Sequence, residues 1–182
     1  PSGGVSPSYL RPHWNVGGFY AFDGNSLAPF VDGLDPSEMR FSPTNAMALH
    51  DDTLFAGFKY PARIKFHDGV RWVNYTDSLP YSRIAYDVPP VLRTEPTAIA
   101  FAGARMFVAT QSMGVLEWQR STEWVQRSSG LIRGGIPGVE SDDLFQPVVF
   151  LESIHGKLVA AYGRPGYGPW GGFGVFTLDL GE

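Results

Sequence analysis

The residues with the clearest potential for chemistry lie in a glycine-rich aromatic loop, GRPGYGPWGG, at residues 163–172. Residues 166–171 match the spacing G-x-G-x-x-G, which in dinucleotide-binding proteins brings a pyrophosphate to a helix N-terminus. Here the segment runs through Pro169 into a predicted strand. Because no helix follows to receive a phosphate, we reject a dinucleotide site and expect no cofactor.

The same loop is the best candidate for a recognition surface. It carries Arg164, Tyr167 and Trp170, and flat aromatic side chains beside an arginine suit a sugar ring or a protein partner. The alternative is that these aromatic side chains simply cover the core. Trp14 is a further candidate binding residue, in an N-terminal segment (residues 1–15) predicted to be an extended arm that packs on the domain or docks on another subunit.

Motifs for metal binding and catalysis are missing from the sequence. The histidines do not have the spacing of a zinc site, and neither Asp51-Asp52 nor Asp142-Asp143 has the alternation of a calcium loop. There is no serine at a strand-to-helix elbow and no cysteine. Glu117 and Glu152 have the residue type for paired carboxylates but no distinguishing sequence mark. We therefore expect no metal site, and no catalytic residue stands out.

Composition excludes several classes of partner. The chain has 182 residues and a formal net charge of −4, with only 14 lysines and arginines that never cluster, which argues against nucleic-acid binding. No run of 18 apolar residues exists, so no membrane span is expected. The absence of cysteine leaves the compartment open.

The candidate residues lie in a chain whose apolar positions recur with a fixed period. A shift of 52 residues places Leu54 on Met106 and Met106 on Leu158, and the same shift places Phe66 on Trp118, Trp72 on Trp124 and Leu79 on Leu131. A fixed period of this length indicates a repeat architecture. With 22 glycines and 15 prolines the chain favours many short strands, and we see no amphipathic helix.

Turn residues and alternating apolar positions predict how many strands each unit holds. The predicted units span residues 16–34, 46–79, 98–131 and 148–180, with two, four, four and three strands respectively. Aromatic residues that recur at one position, such as Trp72 and Trp124, are predicted to fill the space between neighbouring sheets.

These units resemble the blades of β-propeller repeat proteins of the kelch-like and sensor type. The segments LFAGF, MFVAT and LVAAY, followed by a strand that ends in an aromatic residue, carry the resemblance, and FHDGVRWVNY (residues 66–75) is similar to an outer-strand hairpin. The resemblance covers most of residues 16–180. It implies an all-β, propeller-like array of about four antiparallel four-stranded blades with incomplete terminal blades, in a domain of residues 16–182.

Incomplete terminal units and the absence of a site motif favour a non-catalytic structural or interaction protein. We expect a propeller-like scaffold subunit whose open strand edges are completed by other protein subunits, for example in a virus particle. One alternative is an extracellular carbohydrate- or ligand-binding module that uses residues 163–172 to hold a glycan. A second alternative is a fragment of a propeller-type glycoside hydrolase, which needs two converging carboxylates.

Overall fold

All regular structure in the described part of the computed structural model is β-structure. The structure describes residues 19–35, 46–59, 62–76, 79–80, 95–119, 123–131, 145, 147–163 and 174–180. Thirteen strands lie within these ranges, and none of these residues is helical, which confirms the expected all-β class. Within the same ranges no helix exists that is long and apolar enough to span a membrane.

The described strands form four antiparallel sheets, each built in chain order. The hairpin comprises β1 (Tyr20–Phe22) and β2 (Leu27–Pro29). The first sheet comprises β3 (Met47–His50), β4 (Thr53–Lys59), β5 (Ala62–His67) and β6 (Trp72–Asn74). The middle sheet comprises β7 (Pro96–Ala102), β8 (Arg105–Thr110), β9 (Val115–Gln119) and β10 (Glu123–Gln126). The last sheet comprises β11 (Val148–Ile154), β12 (Lys157–Tyr162) and β13 (Val175–Asp179).

The predicted distribution of strands, two, four, four and three, is confirmed in these ranges. None of these four described sheets closes on itself, and the arrangement of the sheets around a common axis stays a prediction. The predicted N-terminal arm lies outside the described residues.

Two-residue turns join the first two strands of the first sheet and of the last sheet. Asp51 and Asp52 have φ of 45° and 58°, and His155 and Gly156 have φ of 49° and 72°. Two successive residues with positive φ are typical of the type I′ turn, whose twist matches that of the strands it connects. The expected surface turns at these positions are therefore confirmed.

Equivalent strands present equivalent faces to their neighbours. Leu54, Met106 and Leu158, the positions related by the 52-residue shift, each pack into a different apolar cluster. Leu54 packs towards the hairpin, Met106 towards the first sheet and Leu158 towards the middle sheet. Each sheet thus lays the same face on the layer that precedes it in the chain.

Strand β8 shows how the core is built, because it is buried on both faces. Met106 and Val108 belong to the cluster between the first and middle sheets (the first–middle cluster). Phe107 and Ala109, on the opposite face, belong to the cluster between the middle and last sheets (the middle–last cluster). All four are at most 1% exposed. This two-sided burial explains why β8 is a continuous apolar run rather than an alternating one.

The tryptophans of the fourth strands occupy equivalent positions, as predicted. Trp72 lies opposite His67 in the first sheet, and Trp124 lies opposite Trp118 in the middle sheet. Trp72 packs against Phe19 and the hairpin, while Trp124 packs into the first–middle cluster. Both indoles therefore fill the space towards the preceding layer.

The predicted equivalence of Phe66 and Trp118 is wrong by one residue. Leu54 lies opposite His67, whereas Met106 lies opposite Trp118, so His67 is the true counterpart of Trp118. A one-residue difference in register turns a side chain to the other face of its sheet. Phe66 and Trp118 consequently enter the first–middle cluster from opposite sides.

Candidate functional site

The residues that the sequence singled out for recognition, Arg164, Tyr167, Trp170 and Trp14, lie outside the described residues. The two strand ends that lead into residues 164–173 are held together. The N–H of Tyr162 donates to the carbonyl oxygen of Gly174 at 3.0 Å, and the N–H of Gly163 donates to that of Pro147 at 3.3 Å. The loop therefore begins and ends on paired strands of the last sheet.

Two of the three described histidines, His50 and His67, pack against aromatic rings. The ring of His50 stacks on Phe101 with centroids 4.1 Å apart, and the ring of His67 stacks on Phe30 at the same distance. His67 Nδ1 also accepts a hydrogen bond from the N–H of Gly69 in the β5–β6 turn. Within the described ranges no group of three His, Cys, Asp or Glu side chains converges as metal ligands would.

A buried ion pair network centres on Glu117, a residue that the sequence did not distinguish. Its carboxylate accepts hydrogen bonds from Arg105 Nε at 2.7 Å and from Arg127 Nε at 2.6 Å. The Glu117 side chain is 6% exposed, whereas both arginines are about 40% exposed. A second nitrogen of Arg105, Nη1, donates to the carbonyl oxygen of Leu180 at 3.0 Å, which links the middle sheet to the end of the last one.

The environment keeps Glu117 ionised. Burial by itself raises the pKa of Glu117, but the hydrogen bonds from Arg105 and Arg127 and their positive charges outweigh it and leave the pKa below its ordinary value. The same interaction raises the pKa of Arg105, because the hydrogen bond that its guanidinium donates to Glu117 stabilises the charged form. A general acid must be protonated before it reacts, and the two arginines disfavour the protonated form of Glu117.

Glu117 and Glu152 do not converge. Glu117 lies opposite Phe107 and shares its face, which is turned towards the last sheet. Glu152 lies opposite Val159, on the face of the last sheet that is turned away from the middle sheet. The last sheet therefore stands between the two carboxylates, and they form no common cleft.

Exposed apolar side chains are concentrated at the two ends of the stack of sheets. Ten large apolar residues are exposed among the described residues, and none of them belongs to the middle sheet. Six lie on the hairpin, the first sheet and its β5–β6 turn: Tyr20, Phe22, Leu27, Met47, Leu49 and Val70. Four lie on the last sheet: Val149, Phe150, Ile154 and Val175.

The outer face of the last sheet (the open face) has no covering layer in the described part of the chain. Phe150 lies opposite Ala161, and Ala161 lies opposite Val175, so these three residues form one apolar row across all three strands. Phe150 is 48% exposed and Val175 is 70% exposed. The equivalent faces of the first and middle sheets are both covered by the next sheet. The open face is therefore the one face of this kind, among the sheets described, that lacks a neighbour.

Strand β13 forms an unpaired edge within the described residues, because the last sheet has three strands where the first and middle sheets have four. Beside this edge lies a cavity of about 340 Å3 between the middle and last sheets. Its lining includes Val115, Arg127 and Leu131 from the middle sheet and the loop after it, and Phe176 and Leu178 from β13. The lining combines these apolar side chains with polar groups, among them Ser129, Thr177 and the guanidinium of Arg127.

Sequence reasoning anticipated an incomplete last unit but not the Glu117 network or the cavity. The alternation of exposed Phe150 and Val175 with buried Leu151 and half-buried Phe176 is visible in the sequence, but it does not reveal which face is covered. Comparisons with protein-family models, curated proteins and solved structures give no match to this chain. The geometry of the described residues thus carries the functional argument.

Proposed function

We propose that this protein is a non-catalytic structural or interaction protein, a propeller-like scaffold subunit that joins other protein subunits in a larger assembly such as a virus particle. Its binding surface is the open face of the last sheet. The repeated stacking supports the propeller-like arrangement, because three successive sheets each turn the same face towards the preceding layer.

The open face of the last sheet is the observation on which this proposal depends. Apolar rows equivalent to Phe150, Ala161 and Val175 are buried in the first and middle sheets by the next layer. Exposed apolar area is unfavourable in water, and contiguous exposed patches are typical of protein interaction surfaces. An unpaired strand edge beside such a face adds main-chain hydrogen-bonding groups that a second chain can use.

The alternatives have no supporting contact among the described residues. The glycan-binding alternative depends on Arg164, Tyr167 and Trp170, which lie outside them. The glycoside hydrolase alternative needs converging carboxylates, and Glu117 and Glu152 lie on opposite sides of the last sheet.

The mass of the purified chain in solution, measured by light scattering, tests the proposal. We expect a mass above the 20.0 kDa of a single chain at about 100 µM. Val175→Lys places a charge on the open face and should weaken association about tenfold or more. Val70→Lys is the matched control, because Val70 is exposed to a similar degree (77% against 70%) but lies in the β5–β6 turn.

A strictly monomeric chain at that concentration, with the same mass for both variants, would contradict the proposal. Equal weakening by Val70→Lys and Val175→Lys would also contradict it, because the effect would then come from charge alone rather than from the open face.

A further inference from the structure

The first and middle sheets, which have four strands each, show which side chains a fourth strand places beside the third strand. In the first sheet, β6 places Trp72 opposite His67 with ring centroids 5.4 Å apart. In the middle sheet, β10 places Trp124 opposite Trp118 with ring centroids 4.9 Å apart. In both sheets, therefore, the fourth strand brings a tryptophan next to the residue that pairs with the start of the second strand.

Leu178 is the counterpart of His67 and Trp118 in the last sheet. It pairs with Leu158, just as His67 pairs with Leu54 and Trp118 pairs with Met106. Leu178 also packs towards the middle sheet, as Trp118 packs towards the first. A residue opposite Leu178 on a fourth strand would consequently occupy the position of Trp72 and Trp124.

The cavity lies at that position. It is lined by Leu178 and Phe176 on one side and by Leu131 and Val115 on the other. Leu131 is the counterpart of Leu79, which shares the first–middle cluster with Trp124. The cavity of about 340 Å3 beside the last sheet thus corresponds to the space that the indole of Trp124 fills beside the middle sheet.

The main chain of β13 is oriented to accept a further strand. The N–H of Tyr162 donates to Gly174 and the N–H of Leu180 donates to Gly156, so the even-numbered residues of β13 direct their peptide groups towards β12. Because peptide groups alternate in direction along an antiparallel strand, those of Val175, Thr177 and Asp179 point to the free edge. In the middle sheet the corresponding residue Val115 accepts a hydrogen bond from the N–H of Arg127, immediately after β10.

We infer that the edge of β13 and the adjacent cavity form a binding site for an extended segment of another protein chain, which adds as a fourth antiparallel strand and inserts a tryptophan or a similar large aromatic side chain opposite Leu178. The inference rests on the proposed interaction function and specifies the partner's chemistry. Main-chain hydrogen bonds to Thr177 and Asp179 supply affinity, and the cavity beside Leu178, which receives the aromatic side chain of the partner, supplies specificity. The guanidinium of Arg127 in the cavity wall favours the face of an aromatic ring over a second cation.

A peptide that copies β10 provides a direct probe. Fluorescently labelled EWVQRS, the sequence of residues 123–128, is titrated with the full chain and followed by fluorescence anisotropy. We expect saturable binding, about tenfold or more weaker when alanine replaces the tryptophan of the peptide. Amide hydrogen exchange at Thr177 and Asp179 should slow when the peptide is added.

Two variants of the protein separate edge pairing from other binding. Thr177→Pro removes an edge-directed N–H and leaves the hydrogen bonds between β12 and β13 in place, and proline is tolerated on edge strands. It should weaken peptide binding about tenfold or more. Thr177→Val, the matched control, keeps the N–H and should bind as the unmodified chain does.

The absence of binding by the folded, unmodified chain at about 1 mM peptide would overturn the inference. Equal affinity for the alanine peptide, or for Thr177→Pro, would overturn it as well. These failures are distinguishable from failure of the proposed function, since a chain that assembles in light scattering but ignores the peptide retains the scaffold role and loses this site. A chain that binds the peptide but stays monomeric retains the site and loses self-assembly.

Discussion

The indole Nε1 of Trp72 donates a hydrogen bond to the backbone carbonyl oxygen of Phe30 at 2.9 Å and thereby joins the first sheet to the hairpin. Trp124 holds the equivalent position in the middle sheet, yet its buried Nε1 has no hydrogen-bond partner among the described residues. One residue type in one structural position is thus satisfied in one sheet and unsatisfied in the next.

Phenylalanine substitutions should separate the two tryptophans. Trp72→Phe loses the hydrogen bond and leaves the Phe30 carbonyl unpaired, so we expect a loss of about 1–3 kcal/mol in the free energy of unfolding. Trp124→Phe removes an unsatisfied donor and should cost under about 1 kcal/mol. Trp72→Ala, at a position 2% exposed, should cost about 3–5 kcal/mol. Urea denaturation measures all three, and a larger loss for Trp124→Phe than for Trp72→Phe would refute the assignment.

Glu117 should make the stability of the protein depend on pH. Its folded pKa is lowered below the ordinary value of 4.5, so its contribution is present above that value and is lost as the pH falls through the folded pKa. Glu117→Gln should cost about 1–3 kcal/mol at pH 7 and should flatten the decrease in stability below about pH 4.5. Glu123→Gln, at an exposed position of β10, is the control and should preserve the decrease. An unchanged acid profile for Glu117→Gln would contradict the network.

Gly33 lies where a side chain would collide with the first sheet. Its φ is +83°, and a Cβ at this position would lie 2.3 Å from the carbonyl oxygen of Trp72. Gly33→Ala should cost about 2–4 kcal/mol, because left-handed strain and overpacking add. Gly24→Ala is the matched control, since Gly24 has φ of +98° but a Cβ there would meet no atom within 4 Å, and it should cost only about 1–2 kcal/mol. Thermal denaturation distinguishes the two, and equal losses would mean that the close approach has no energetic effect.

Substitutions in the β3–β4 turn should stabilise the protein. Asp51 and Asp52 both adopt positive φ, which asparagine and glycine tolerate better. The pair Asp51→Asn and Asp52→Gly should raise the free energy of unfolding by about 0.5–1 kcal/mol, because glycine adopts positive φ without the strain that a Cβ causes. A decrease measured by chemical denaturation would show that the aspartate side chains stabilise the turn in another way.

Truncation to alanine should destabilise the protein more at a position buried between two sheets than at the equivalent position on the open face. Phe107 is fully buried between the middle and last sheets, whereas Val159, its counterpart in β12, lies on the open face. Phe107→Ala should cost about 3–5 kcal/mol, and Val159→Ala should cost under about 1 kcal/mol in the isolated chain. A loss above about 2 kcal/mol for Val159→Ala would contradict this and show that a layer covers that face in solution.

Local pattern determined the strands of this protein. Glycine and aspartate turns and short apolar runs located thirteen strands in groups of two, four, four and three, and the 52-residue period identified Leu54, Met106 and Leu158 as equivalent. These features are legible because turn conformation and alternation depend on neighbouring residues.

Only the tertiary structure decided the features that depend on register and stacking. A one-residue difference in pairing put Phe66 and Trp118 on opposing faces, and no local pattern encodes that difference. Glu117 reads as an ordinary strand residue until the last sheet buries it between Arg105 and Arg127. Likewise, Phe150 and Val175 differ from buried core residues only because the chain places no further described sheet against them, and burial of a face is a property of what packs on it rather than of its own sequence.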